Sequence, residues 1–86
     1  MKNTYKYNGK LNVISGNIRK YRIINKMSLS QLSSKLQLLG IDISKSSLQN
    51  IESGKRVVRE YEFYALCKTF NITMEEMLKD FIKELE

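Results

Sequence analysis

The segment Ser44-Lys45-Ser46-Ser47-Leu48-Gln49-Asn50-Ile51-Glu52-Ser53-Gly54-Lys55-Arg56 decides how this chain folds, because both of its ends are chemically marked. The Ser44 hydroxyl can accept a hydrogen bond from a backbone N–H of a first helical turn, and Gly54 suits the left-handed position just past a helix end. A short helix between them sets Leu48 and Ile51 three apart on one face, which predicts that this face is buried. Lys45, Ser46, Gln49 and Asn50 are left to the outer face, and they are side chains of the kind that pair with base edges and phosphates.

Upstream, Ser28-Leu29-Ser30-Gln31 reads as a capping box, so a second helix starts there, buries Leu32, Leu36 and Leu39, and stops at Gly40. Ile41-Asp42-Ile43 connects it to Ser44. A first helix is predicted over 13–25, with Ile14, Ile18 and Tyr21 at i, i+4 and i+7 and with Arg19, Lys20 and Arg22 on or beside its polar side. Downstream, the pattern predicts a helix over 59–70 that aligns Phe63, Leu66, Cys67 and Phe70, with Asn71 taking the left-handed terminal conformation. A second capping box, Thr73-Met74-Glu75-Glu76, opens a fifth helix burying Met74, Met77, Leu78 and Phe81. Ile82 and Leu85 prolong its apolar edge, either as a dimer seam or as the end of the core. With no proline, four glycines and no strand-type alternation, the expected fold class is all-α. Residues 1–11 lack apolar periodicity and read as a flexible N-terminal arm, in which Tyr5, Lys6 and Tyr7 could follow a nucleic-acid backbone; residues 12–86 form the domain.

Eighty-six residues at 42% hydrophobic content allow one domain, near the size at which stability is marginal. The single cysteine, Cys67, has no intrachain disulfide partner, and a chain without histidine lacks the usual zinc ligand set, so neither metal nor cofactor is expected. No run of about 18 apolar residues could span a bilayer, and the N-terminus has no apolar signal region, so a cytoplasmic location is expected. Charge is divided along the chain. Residues 1–59 hold twelve lysines and arginines against Asp42 and Glu52, while residues 60–86 hold three lysines against seven carboxylates, giving +10 and −4 of the net +6. The first part suits a polyanion and the second avoids one.

The two capped helices, the ending Ile51-Glu52-Ser53-Gly54-Lys55-Arg56, the preceding Ile18-Arg19 with Arg22, and Asn71-Ile72-Thr73 together resemble the Xre or Cro/cI-type helix-turn-helix regulators of bacteria and phages. The resemblance covers about residues 13–81. It implies a compact five-helix, lambda-repressor-like DNA-binding domain whose second and third helices form the motif. The third would lie in the major groove, usually with two subunits on a pseudo-palindromic site. By position, it makes Lys45, Ser46 and Asn50 base contacts and turns Ser47 and Gln49 toward base edges or phosphate. Lys55, Arg56 and Arg59 match the phosphate-contacting loop, and Arg22 with Glu52 match a structural ion pair between the first and third helices. Two departures stand out: Leu29 occupies the first helical position where many relatives carry a phosphate-contacting glutamine, and the 38–43 connection exceeds the tight turn of the best-known members. Asp42 in that connection adds a negative charge beside the expected phosphate path.

The expected function is therefore a sequence-specific regulator of transcription, most simply a repressor, bound to double-stranded DNA as a homodimer that could pair through the fifth helix. The rival is a protein-interaction module on the same scaffold, such as an antitoxin or a regulator's partner, using the fifth helix and the acidic part. An enzyme is not expected, since Cys67 falls on a core face and the carboxylates do not converge.

Overall fold

The computed structural model describes residues 6–86, so Tyr5 of the expected arm lies outside the described residues. Among these residues it forms six helices: α1 Ser15–Ile24, α2 Leu29–Leu38, α3 Lys45–Glu52, α4 Glu60–Phe70, α5 Met74–Met77 and α6 Lys79–Leu85. Helix α3 lies against α1 and α2, α4 closes over both of those, and α5 and α6 pack from α4 back toward α1. The fold is a small all-α helix-turn-helix arrangement.

The starts of α2, α3 and α5 follow from local side-chain caps. Ser28 accepts from the Gln31 N–H at 3.0 Å while the Gln31 amide oxygen accepts from the Ser28 N–H at 2.8 Å, a complete capping box. Thr73 accepts from the Glu76 N–H at 3.0 Å, but the Glu76 carboxylate does not return to Thr73; it accepts instead from the Tyr21 hydroxyl at 2.6 Å and from Lys79 at 3.1 Å. The second expected box is thus half a box, because a tertiary partner outcompetes the local one. Asn71 ends α4 in the left-handed conformation at φ 57°.

The core is built from Ile14, Ile18, Tyr21, Leu32, Leu36, Ile43, Leu48, Ile51, Ala65, Leu66, Cys67, Phe70 and Met77. Five predicted members are missing from it: Phe63 and Leu78 are half-buried against its edge, Phe81 is half-buried, and Leu39 and Met74 are exposed. Leu39 is 43% exposed because α2 stops at Leu38 and the left-handed Gly40 turns the chain away before the stripe can repeat. Its place is taken from the connection, where Ile43 is buried and its carbonyl accepts from the Ser33 hydroxyl at 2.6 Å. Met74 is 44% exposed, being the first residue of α5, and Met77 fills the interior instead. The single fifth helix expected from the pattern divides at Leu78, whose N–H is shared between the Met74 and Glu75 carbonyls at 3.0 and 3.1 Å. That tightening of the turn re-aims α6.

In the segment read as an arm, Tyr7 and Lys10 close a turn through two backbone hydrogen bonds of 2.9 Å each. Asn8 and Gly9 both have positive φ, the pairing a two-residue type I′ turn requires. Tyr7 meets Phe81 of α6 edge-on at 5.1 Å between ring centroids.

Candidate nucleic-acid interface

Helix α3 is capped by Ser44, whose hydroxyl oxygen accepts the Ser47 N–H at 3.1 Å and whose O–H donates to the Ser47 hydroxyl at 3.1 Å. At its other end the Lys55 and Arg56 N–H groups both reach the Asn50 carbonyl, at 2.7 and 3.2 Å, with Gly54 left-handed at φ 81° between them and the helix. Leu48 and Ile51 are fully buried, which fixes the rotation of α3 about its axis. Lys45, Ser46, Gln49 and Asn50 consequently stand exposed on one surface, and none of their side chains has a hydrogen-bond or ion-pair partner among the described residues. Ser47 is half-buried and its hydroxyl belongs to the cap.

The opposite flank of α3 is held by Arg22 of α1. Its Nε and Nη2 donate to the two Glu52 carboxylate oxygens at 2.7 and 3.0 Å, and its Nη1 donates to the Met27 carbonyl at 2.9 Å. The two side chains are only 14% and 7% exposed. One guanidinium therefore joins α1, the turn before α2, and α3, and the Glu52 hydrogen bonds push it further up from its ordinary value.

The basic residues after α3 do not form one free cluster. Lys55 and Arg59 are exposed, whereas Arg56 turns back on Glu62 of α4 through two bonds of 3.0 and 2.9 Å. Glu62 also accepts the Arg59 N–H at 3.0 Å, and its side chain is 4% exposed. Burial works to raise this carboxyl, but the Arg56 and Arg59 hydrogen bonds overcome it and hold the group below the usual carboxylate range. Asn12 completes the fastening: its Nδ2 donates to the Arg56 carbonyl at 2.8 Å and its Oδ1 accepts from the Val58 N–H at 2.9 Å. Sequence reasoning missed Asn12 and gave Glu62 only a place in the acidic surface. The spacing of Glu62 three residues after Arg59 was the available local signal.

With this geometry in place, comparison with known families gives a match described as a helix-turn-helix domain, spanning residues 16–81. The chain belongs to the helix-turn-helix domain family. Comparison with curated proteins and with solved structures gave no significant match. The helix-turn-helix domain is a DNA-binding regulatory domain rather than an enzymatic one, and α2 and α3 occupy the place of its motif. Cys67 fits that assignment: burial pushes its thiol up to about 11, so it stays protonated and unreactive at neutral pH. Among the described residues no helix is long and apolar enough to cross a membrane.

Proposed function

We propose that the protein is a sequence-specific transcriptional regulator of the Xre or Cro/cI type, acting in the cytoplasm as a repressor that occludes its operator. The observation that carries this reading is the surface of α3, where Lys45, Ser46, Gln49 and Asn50 are exposed, with no side-chain partner among the described residues, above a helix whose rotation is fixed by Leu48 and Ile51. Lysine can donate to guanine O6 and N7, and asparagine can bond the adenine edge in a bidentate manner, so Lys45 and Asn50 supply base discrimination. Ser46 and Gln49 add hydrogen bonds to neighbouring edges or phosphates, and Ser47 sets the helix terminus that delivers them.

Lys55 and Arg59 supply phosphate contacts after α3, with Arg56 shaping the loop between them through Glu62. Arg22 and Glu52 act in structure, holding α3 at its angle to α1. Two copies would meet a pseudo-palindromic operator, pairing through α6, on which Leu85 is exposed. Selection of bound sequences from a random duplex library tests the reading. A palindromic consensus supports it, and recovery of unenriched DNA together with a stoichiometric protein partner from the cell would replace it with an interaction module.

A further inference from the structure

The connection between α2 and α3 fixes one side chain in place and then leaves it unspent. Ile41 packs against the core with its N–H on the Leu36 carbonyl at 3.0 Å, and Ile43 is 2% exposed with its carbonyl accepting from the Ser33 hydroxyl at 2.6 Å. Asp42 stands between these two anchors and is exposed, so its carboxylate is turned outward on a backbone held from both sides. Across the Ser44 cap, Lys45 is exposed as the first residue of α3. A carboxylate just ahead of a helix is ordinarily a cap or a partner for the positive helix end. Here Ser44 already accepts the Ser47 N–H, and Asp42 makes neither a hydrogen bond nor an ion pair among the described residues. The helix charge itself is felt only within about the first turn, which begins beyond Ser44.

From this placement we propose that Asp42 is a specificity-determining residue, accepting a hydrogen bond from the N4 amino group of a cytosine in the stretch of major groove read by Lys45 and Asn50. An ionised carboxylate accepts and cannot donate. In the groove guanine presents the O6 and N7 acceptors, thymine O4 and a methyl group, and adenine an N7 acceptor beside its amino group, whereas cytosine presents a donor alone. Cytosine is therefore the base that suits Asp42, and phosphates repel it. The residue lowers affinity for duplexes in general and recovers the loss where a cytosine meets it, so it discriminates by penalty as well as by contact. Lys45 has the opposite requirement, an acceptor edge such as that of guanine, and the two charges flanking the Ser44 cap read opposite groove chemistry from one helix end. The inference rests on the DNA-binding reading.

Selection from a random duplex library with the full-length parent, Asp42→Ala, Asp42→Asn and Glu75→Gln chains tests the assignment. The parent consensus should contain a cytosine in each half-site that Asp42→Ala no longer enriches, with the other positions kept. Asp42→Asn should admit adenine there, because an amide can meet its N6 and N7 together. In anisotropy titrations at fixed salt, Asp42→Ala should bind a scrambled duplex more tightly than the parent does. Its preference for the parent's selected duplex over the scrambled one should fall by roughly 5- to 150-fold, the worth of one base pair in a site. Glu75→Gln removes the same charge from exposed α5 and should leave consensus and preference unchanged. A consensus identical at every position in parent and Asp42→Ala, or an equal loss of preference from Glu75→Gln, would overturn the assignment while leaving the DNA-binding reading intact. A parent chain that enriches no sequence would overturn both. The identity of the enriched base does not depend on stability, so the readout separates a lost contact from a lost fold.

Discussion

Replacing Glu52 by glutamine keeps the size and shape of the side chain but removes its charge and turns an N–H₂ toward the Arg22 donors. The guanidinium would then sit 14% exposed with one neutral amide oxygen in place of the carboxylate's two charged ones. Breaking a buried pair by removing one partner costs roughly 3–5 kcal/mol. The Met27 carbonyl still accepts from Arg22 at 2.9 Å, which places the expected loss near the lower end, about 3 kcal/mol. A chain of 86 residues has a total stability of roughly 4–13 kcal/mol, so this is a large fraction. In melting temperature it corresponds to a fall of roughly 12–24 °C. Urea titration followed by circular dichroism gives the free energy, and a cycle with Arg22→Met isolates the pair. The double variant should lose less than the sum of the single losses, with a coupling of about 1–3 kcal/mol, because no unpaired charge remains. A loss below about 1 kcal/mol with additive singles would mean that the pair behaves as a solvated surface bridge and that α3 is held by packing alone.

Asn12→Ala should cost about 1–3 kcal/mol by orphaning the Arg56 carbonyl and Val58 N–H, and amide exchange over residues 55–59 should speed up more than in α2. Glu62 has a folded-state value below its unfolded one, so the stability it contributes is present above the unfolded carboxylate value of about 4.3 and is lost as pH falls through the lower folded value. Urea midpoints taken from pH 6 to pH 2.5 should drop over that window, and Glu62→Gln should flatten the drop. A variant with an unchanged acid profile would show that the Arg56–Glu62 pair does not contribute. Cys67 should resist a thiol reagent at pH 8 at a rate that tracks the population of unfolded chain, so labelling that is fast and insensitive to urea would contradict its burial.

Sequence legibility divides along the range of the forces involved. Helix ends set by side chains three residues apart, as at Ser28 with Gln31 and Ser44 with Ser47, were readable because the bonding partners are sequence neighbours. The buried stripes of α1 and α3 were readable for the same reason, since Ile14, Ile18 and Tyr21, or Leu48 and Ile51, repeat at the helical period. Bonds across tens of residues leave no periodic trace. Asn12 to Val58, Asn17 to the Met77 carbonyl at 2.9 Å, and Tyr21 to Glu76 were therefore invisible, and the last of these diverted the expected Thr73 box. Arg56 shows the same limit at the site. Its sequence position suggested a free phosphate contact, and only the fold reveals that Glu62 occupies it. The break at Leu78 lacked a proline or glycine to announce it.

The central claim is that α3 discriminates bases through Lys45 and Asn50, and competition anisotropy tests it most directly. The parent, Lys45→Ala and Asn50→Ala chains would each be titrated with the selected duplex and with a scrambled duplex of equal length at fixed salt. Loss of a bidentate base contact is worth about 1–3 kcal/mol, so Asn50→Ala should weaken the selected duplex by roughly 5- to 150-fold while leaving the scrambled one nearly unchanged. Lys45→Ala should weaken both, the selected duplex more. Equal weakening of the two duplexes by both variants, or a parent chain that does not distinguish them, would contradict the claim.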